Sequence, residues 1–204
     1  MEIRQANLSD LEAILKLQEK YHVSNLTEAE KLEKGFVTMR VSVEQFTYLI
    51  NEKGVFIALF EGNLAAYALT SPWDYFRQWP IIQRMEAILP TLKYEGKEIT
   101  VENSFQYGPV CIDEAYRGRN ILTLLFAAIQ KVYQPQFEYA VTFINQINVL
   151  SSYAHARKTP LSIVGTFDFN NNHYNALASK TKWTTDYTDL TDLHWFFPRY
   201  NKKN

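Results

Sequence analysis

The chain has 204 residues, of which 47% are hydrophobic and 21% charged, and its formal net charge is −1. These proportions exclude intrinsic disorder across the bulk of the chain, and at this length one hydrophobic core suffices. The balanced charge argues against a general binder of nucleic acid or of anionic membranes.

In chain order, Ile3–Ala6 reads as a first strand. Ser9 and Glu12 are spaced as a capping box for a helix that carries Leu11, Ile14, Leu15 and Gln18 on one face to about Tyr21. Residues 24–40 are polar and mixed, a loop or a short helix, and a second helix is expected from Val43 to Glu52, before Gly54. Val55–Phe60 and Leu64–Thr70 are apolar runs joined by Glu61-Gly62-Asn63, a hairpin signal. Between residues 72 and 98 the expectation is a short helix within Ile81–Leu89, stopped by Pro90. Trp73, Tyr75, Phe76 and Trp79 in the same stretch are either a wall for a bound amine or an added layer on the core.

Tyr107–Ile112 reads as a further strand, and past Gly118 a helix apolar nearly all round runs through Ile121, Leu125, Ile129 and Val132 to the neighbourhood of Pro135. A buried strand over Tyr139–Ile144 and a short helix over Asn148–Lys158 follow. Ser162–Phe169 and His173–Ala178 form a second hairpin across the turn Asn170-Asn171-Asn172. The order β-α-α-β-β-α-β-α-β-α-β-β, with no repeat and no Pro/Gly/Ser-rich linker, predicts one α/β domain over residues 1–204. In it residues 180–204 form a C-terminal extension, with a last strand at Leu193–Phe197 and a frayed tail at Asn201–Asn204.

The chain carries a single cysteine, Cys111, so neither an intramolecular disulfide nor a multi-cysteine zinc site is available, and a reducing, cytoplasmic setting fits. The N-terminal residues have no apolar core of signal-peptide length, and no apolar stretch reaches membrane-spanning length. His22, His155, His173 and His194 lie far apart, without metal-ligand spacing. Cys111 stands in an apolar strand with no histidine beside it, which reads as a buried, inert thiol rather than a nucleophile.

The chemistry concentrates in Gly108–Phe126, where a strand ends, a basic turn follows and a buried helix begins. Free backbone N–H groups and the positive end of the helix dipole meet there, Arg117 and Arg119 add two charges, and Gly118 admits close approach to the backbone. This arrangement selects a phosphate-bearing ligand, with solvated arginines on an ordinary turn as the bland alternative. It is not a nucleotide P-loop, since no G-x-x-x-x-G-K-[ST] is present.

Tyr116-Arg-Gly-Arg-Asn-Ile121 resembles the acetyl-CoA pyrophosphate loop of the GNAT superfamily of N-acetyltransferases, with Asn120 and Leu122 standing where that family usually has Gly and Gly/Ala. Downstream, Asn148, Ser151 and His155 resemble its Asn-x-x-Ser/Ala-x-x-x-Tyr segment, and Phe169-Asn-Asn-Asn-His-Tyr174 echoes the Phe-Asn-Gly-x-x-Tyr end of some members. The resemblance covers residues 2–179 in element order.

It implies a mixed, mostly antiparallel sheet with helices on both faces, and a direct attack of an amine on acetyl-CoA. It implies cofactor contacts at Val110, Cys111 and Ile112 on the strand, at Arg117, Gly118, Arg119, Asn120 and Ile121 in the loop, and at Asn148 and Ser151. The Val110 or Cys111 backbone N–H would hold the oxyanion, and His155 or Tyr153 would give the leaving thiolate its proton. Glu102, Asp113 and Glu114 flank the strand as base candidates, Glu114 foremost. An amine of pKa about 10.4 is neutral in only about one molecule in 2,500 at pH 7, so it needs such help. The expected acceptor is a small-molecule or peptide amine, the expected partners include neither nucleic acid nor membrane, no metal is called for, and homodimers are common in the family. Two rivals remain from other classes: a domain that holds acyl-CoA without turnover, and a phosphate-ligand domain unrelated to CoA.

Overall fold

The computed structural model describes residues 1–182. The expected strand at Leu193–Phe197 and the tail at Asn201–Asn204 lie outside the described residues. Seven strands make one sheet: β1 (Glu2–Gln5), β2 (Val55–Phe60), β3 (Asn63–Ser71), β6 (Ser104–Ile112), β7 (Tyr139–Asn145), β9 (Asn172–Lys180) and β8 (Ser162–Phe169), in that spatial order. A two-residue hairpin, β4 (Lys93–Tyr94) and β5 (Lys97–Glu98), stands apart. Every pairing in the large sheet is antiparallel except β6 with β7.

Side-chain alternation divides the core in two. Along β2, Val55 and Ile57 face one way, where helices α1 (Leu11–Tyr21), α3 (Val43–Asn51), α4 (Trp73–Phe76) and α5 (Pro80–Ile88) pack. Phe56 and Ala58 face the other way, against α6 (Ile121–Tyr133), whose Ile121, Leu125, Phe126 and Ile129 are all buried. Two further helices, α2 (Glu28–Lys34) and α7 (Val149–Lys158), border the open end of the sheet. No helix among the described residues is long and apolar enough to cross a membrane.

Two expectations are corrected and one open alternative is resolved. The first capping box is two residues earlier than Ser9 and Glu12: Asn7 caps a tight turn at Leu8–Asp10, and Asp10 accepts the Asn7 N–H at 2.8 Å. Arg4 fixes Asp10 for this role with two bonds of 2.7 and 2.8 Å, whereas Glu12 pairs with Lys16. The central strand begins at Ser104, not Tyr107, because Ser104–Gln106 pair with Tyr139–Val141. Finally, the aromatics of 73–79 are core and cover, not a ligand wall. Trp73 is buried with its indole N–H on Ser104 Oγ at 3.1 Å, Phe76 is buried, and the Tyr75 hydroxyl donates to the Gln45 carbonyl.

Candidate active site

The site follows from a defect in the sheet. β6 and β7 pair only over Ser104–Gln106 and Tyr139–Val141, and beyond that β6 is hydrogen-bonded on its β3 side alone. Opposite β3, Val110 faces Ala68 while Tyr107 faces Thr70, so β6 carries one extra residue at Gly108–Pro109. This bulge sits where the strands part, and a cleft opens between them. Its outer part, about 540 Å³, runs along Val110–Ile112 to the start of α6; its inner part, about 60 Å³, lies against Gln106, Pro109, Thr142 and Asn145. Phe36, Val37, Val110, Asn148, Ser151 and His155 border both parts.

Backbone alternation decides which strand groups face the cleft. Asp113 N–H donates to the Ala65 carbonyl at 2.9 Å, so the alternation places Cys111 in the next hydrogen-bonded pair, with Tyr67. The N–H and C=O groups of Val110 and Ile112 therefore point away from β3, into the opening. Arg117 confirms that direction by donating to the Ile112 carbonyl at 3.4 Å. Of the two expected oxyanion donors, Val110 offers its N–H and Cys111 does not. The Cys111 thiol is buried, and burial pushes its pKa up to about 12, which leaves it protonated and unreactive at neutral pH.

The outer cleft ends on the loop before α6. Asn120 takes the left-handed conformation (φ 58°), and the first helical bond runs from Leu124 N–H to the Asn120 carbonyl. The N–H groups of Ile121, Leu122 and Thr123 precede that bond and stand outside the ladder. Gly118, at φ 81°, has open space on its Cβ side. Arg117 leans over the Tyr21 ring and donates to the carbonyls of Lys34 and Ile112. Lys34, Arg157 and Lys158 complete a basic mouth, with Lys158 on Asn120 Oδ1 at 3.2 Å. These three cations were not singled out in the sequence. Lys34 ends a helix whose sequence signal, the Thr27–Glu30 capping box, marks a helix start and no ligand, and the other two read as the ordinary basic end of α7. A diphosphate fits this donor set: unladdered N–H groups, a glycine with clearance and four cations.

On the opposite wall, α7 supplies Asn148, Ser151, Tyr153 and His155. Asn148 is buried and fully engaged: Nδ2 donates to the Phe36 carbonyl at 2.8 Å, and Oδ1 accepts the Ser151 N–H at 3.4 Å. It pins the segment after α2 across the cleft, and Gly35 leaves just enough room, since a Cβ there would stand 3.1 Å from Asn148 Oδ1. His155 is buried, and Nδ1 lies 2.8 Å from the Ser151 carbonyl. A carbonyl only accepts, so Nδ1 carries the hydrogen and Nε2 the lone pair. Burial pushes the His155 pKa below its ordinary value. The ring is therefore neutral at pH 7, with Nε2 an acceptor that must take up a proton before it can give one to a thiolate.

Five other candidate residues are not brought into the inner cleft. Tyr153 is 58% exposed at the mouth, under the Arg157 guanidinium, which donates to its hydroxyl at 2.6 Å. Arg119 turns away and covers the Phe60 ring at 4.4 Å. Glu114 lies on the tight turn Glu114–Tyr116 facing Lys20, and Asp113 binds Lys20 and the Tyr21 hydroxyl. Glu102 precedes β6, at the end of the strand away from the loop. Among the described residues no group of three or more His, Cys, Asp or Glu side chains could hold a metal ion.

No family model and no curated protein matches the sequence. Solved structures do match. A ribosomal-protein-alanine N-acetyltransferase from Brucella melitensis is 19% identical, with a TM-score of 0.57 over 88% of this chain and 99% of its own. A GNAT-family acetyltransferase from Streptococcus agalactiae is 13% identical, with a TM-score of 0.58 over 88% and 94%. The protein yncA from Salmonella typhimurium, solved with its cofactor acetyl-CoA, is 12% identical, with a TM-score of 0.57 over 91% and 96%. With this sheet order, parted central strands and loop before α6, the chain has the GNAT acetyltransferase fold.

Proposed function

We propose that the protein is an acetyl-CoA-dependent N-acetyltransferase that acetylates a primary amine by direct attack within a ternary complex. The observation that carries this reading is the parting of β6 from β7 at Gln106, which joins the basic loop before α6 to a narrow inner chamber. Ile121–Thr123 N–H groups, Arg117, Lys34 and Lys158 would hold the diphosphate, and Val110 and Ile112 would bond the pantetheine amides as a neighbouring strand does. When bound, acetyl-CoA supplies a thioester whose carbonyl carbon takes the amine nitrogen while the C–S bond breaks. The Val110 N–H is the fixed donor for the charge that gathers on that carbonyl oxygen. His155 Nε2 takes the proton the amine must lose and yields it to the departing sulfur, so one proton moves from nitrogen to sulfur overall. Arg119, Glu114 and Tyr153 have outer or structural roles in this reading.

Thermal shift with acetyl-CoA, matched against ATP, tests it. A ligand at about 100 times its dissociation constant adds about 2.7 kcal/mol, which raises Tm by about 5–10 °C at this chain length. No rise at millimolar acetyl-CoA, or an equal rise with ATP, overturns the reading. Leu122 favours one second reading: it lines the outer cleft where the resembling loop has Gly or Ala, which suits a module that holds acyl-CoA without turnover. A full thermal shift without thiol release from any amine would favour that module.

A further inference from the structure

The inner chamber contains an anomaly. Gln106 is 1% exposed, its Nε2 donates to the Tyr107 carbonyl at 3.3 Å, and its Oε1 has no partner. The Nε2 bond fixes the amide, so Oε1 is the free end. A buried acceptor left unpaired costs stability, which a fold tolerates where a ligand completes the pair. Gln106 stands at the last paired position of β6, where the strands part, and so at the floor of the chamber beyond Val110.

The other walls are uncharged among the described residues. Met39, Pro109 and Phe143 are apolar, Thr142 is a hydroxyl, and Asn145 is already bonded to Asn172 Oδ1 and to the Ile147 N–H. About 60 Å³ takes only the reacting end of an amine and a short chain. A second charge entering with it would be desolvated without a counter-ion.

We propose that Gln106 determines acceptor specificity, its Oε1 accepting an N–H of the amine, and that the chamber selects a slender monoamine over a diamine or amino acid of equal length. This rests on the acetyltransferase reading.

The test uses the full chain with acetyl-CoA and three probes: n-butylamine, 1,4-diaminobutane and 4-aminobutanoate. The wild type should turn over butylamine with a kcat/KM at least about tenfold above either charged analogue. Gln106→Met should raise KM for butylamine about tenfold, leave KM for acetyl-CoA within about twofold, and melt no lower than wild type, since it removes an orphan acceptor. Gln106→Glu should shift the preference toward the diamine.

Equal rates on the three probes, an unchanged butylamine KM in Gln106→Met, or a lower melting point for that variant would each overturn the inference. The last would make Gln106 a structural group. If acetyl-CoA gives no thermal shift, the acetyltransferase reading falls with that result alone. If the shift is present and no probe reacts, acetyl-CoA binding stands and the monoamine assignment falls.

Discussion

Asn148→Ala should loosen one wall of the cleft without touching the other. The side chain joins two segments: Nδ2 holds the Phe36 carbonyl at 2.8 Å, and Oδ1 caps α7 through Ser151 at 3.4 Å. Truncation leaves the Phe36 carbonyl without its donor, a loss of about 1–3 kcal/mol for a buried acceptor. The cap bond is long, so its loss adds about 0.5 kcal/mol, the low end for a helix N-cap. The total is about 1.5–3.5 kcal/mol, or a fall in Tm of about 3–14 °C at about 2–4 °C per kcal/mol for a chain of this size. Urea unfolding gives the free energy directly, with an unchanged m-value if the variant stays two-state. Because Phe36 and Val37 border both parts of the cleft, KM for acetyl-CoA should rise as well. A destabilisation below about 1 kcal/mol would refute the argument that this amide pins the wall.

Arg117→Glu should abolish the thermal shift by acetyl-CoA, since it reverses a charge at the helix N-terminus where the diphosphate is placed; an unchanged shift would remove Arg117 from the site. His155 adds a pH dependence whose sign follows from its lowered pKa. Between that lowered value and the unfolded value of about 6.5, the unfolded chain binds a proton that the native one refuses, so stability is lost as pH falls through this window. The melting point of His155→Gln should fall less than that of wild type between pH 7.5 and pH 5.5; parallel curves would refute it. Cys111, with its pKa pushed to about 12, should resist iodoacetamide in the native protein at pH 8 and react after unfolding in urea. Rapid native alkylation, followed by mass spectrometry, would contradict its burial.

What was legible in the sequence was whatever depends on local pattern. α6 announced itself because Ile121, Leu125 and Ile129 repeat at helical spacing, and both hairpins because Gly62 and Asn170–Asn171 sit where φ turns positive. The candidate phosphate loop was read from Arg117, Gly118 and Asn120, which lie within four residues of chain. Direction was not legible. Arg119 lies two residues from Arg117 yet turns to Phe60, and Glu114 leaves the strand's alternation because Glu114–Tyr116 wind into a tight turn. Nor could spacing reveal that Asn148 spends its amide on Phe36, or that Lys34 comes to the same mouth as Lys158. These are contacts between segments more than a hundred residues apart, set by packing and by the point at which two strands stop pairing.

That stopping point also changes how many open edges the sheet has. A seven-stranded open sheet ordinarily has two, which among the described residues are β1 and β8; the parting of β6 from β7 creates two more, facing each other within the cleft. A free edge recruits other strands and invites aggregation when it lies on the outside. Here Phe36–Val37 and α7 line the opening over the inner pair, so a β-strand of another molecule, with its neighbours attached, would have to displace them to reach it. The same geometry that offers Val110 and Ile112 to a slender ligand thus keeps the protein from adding to its own kind along that seam.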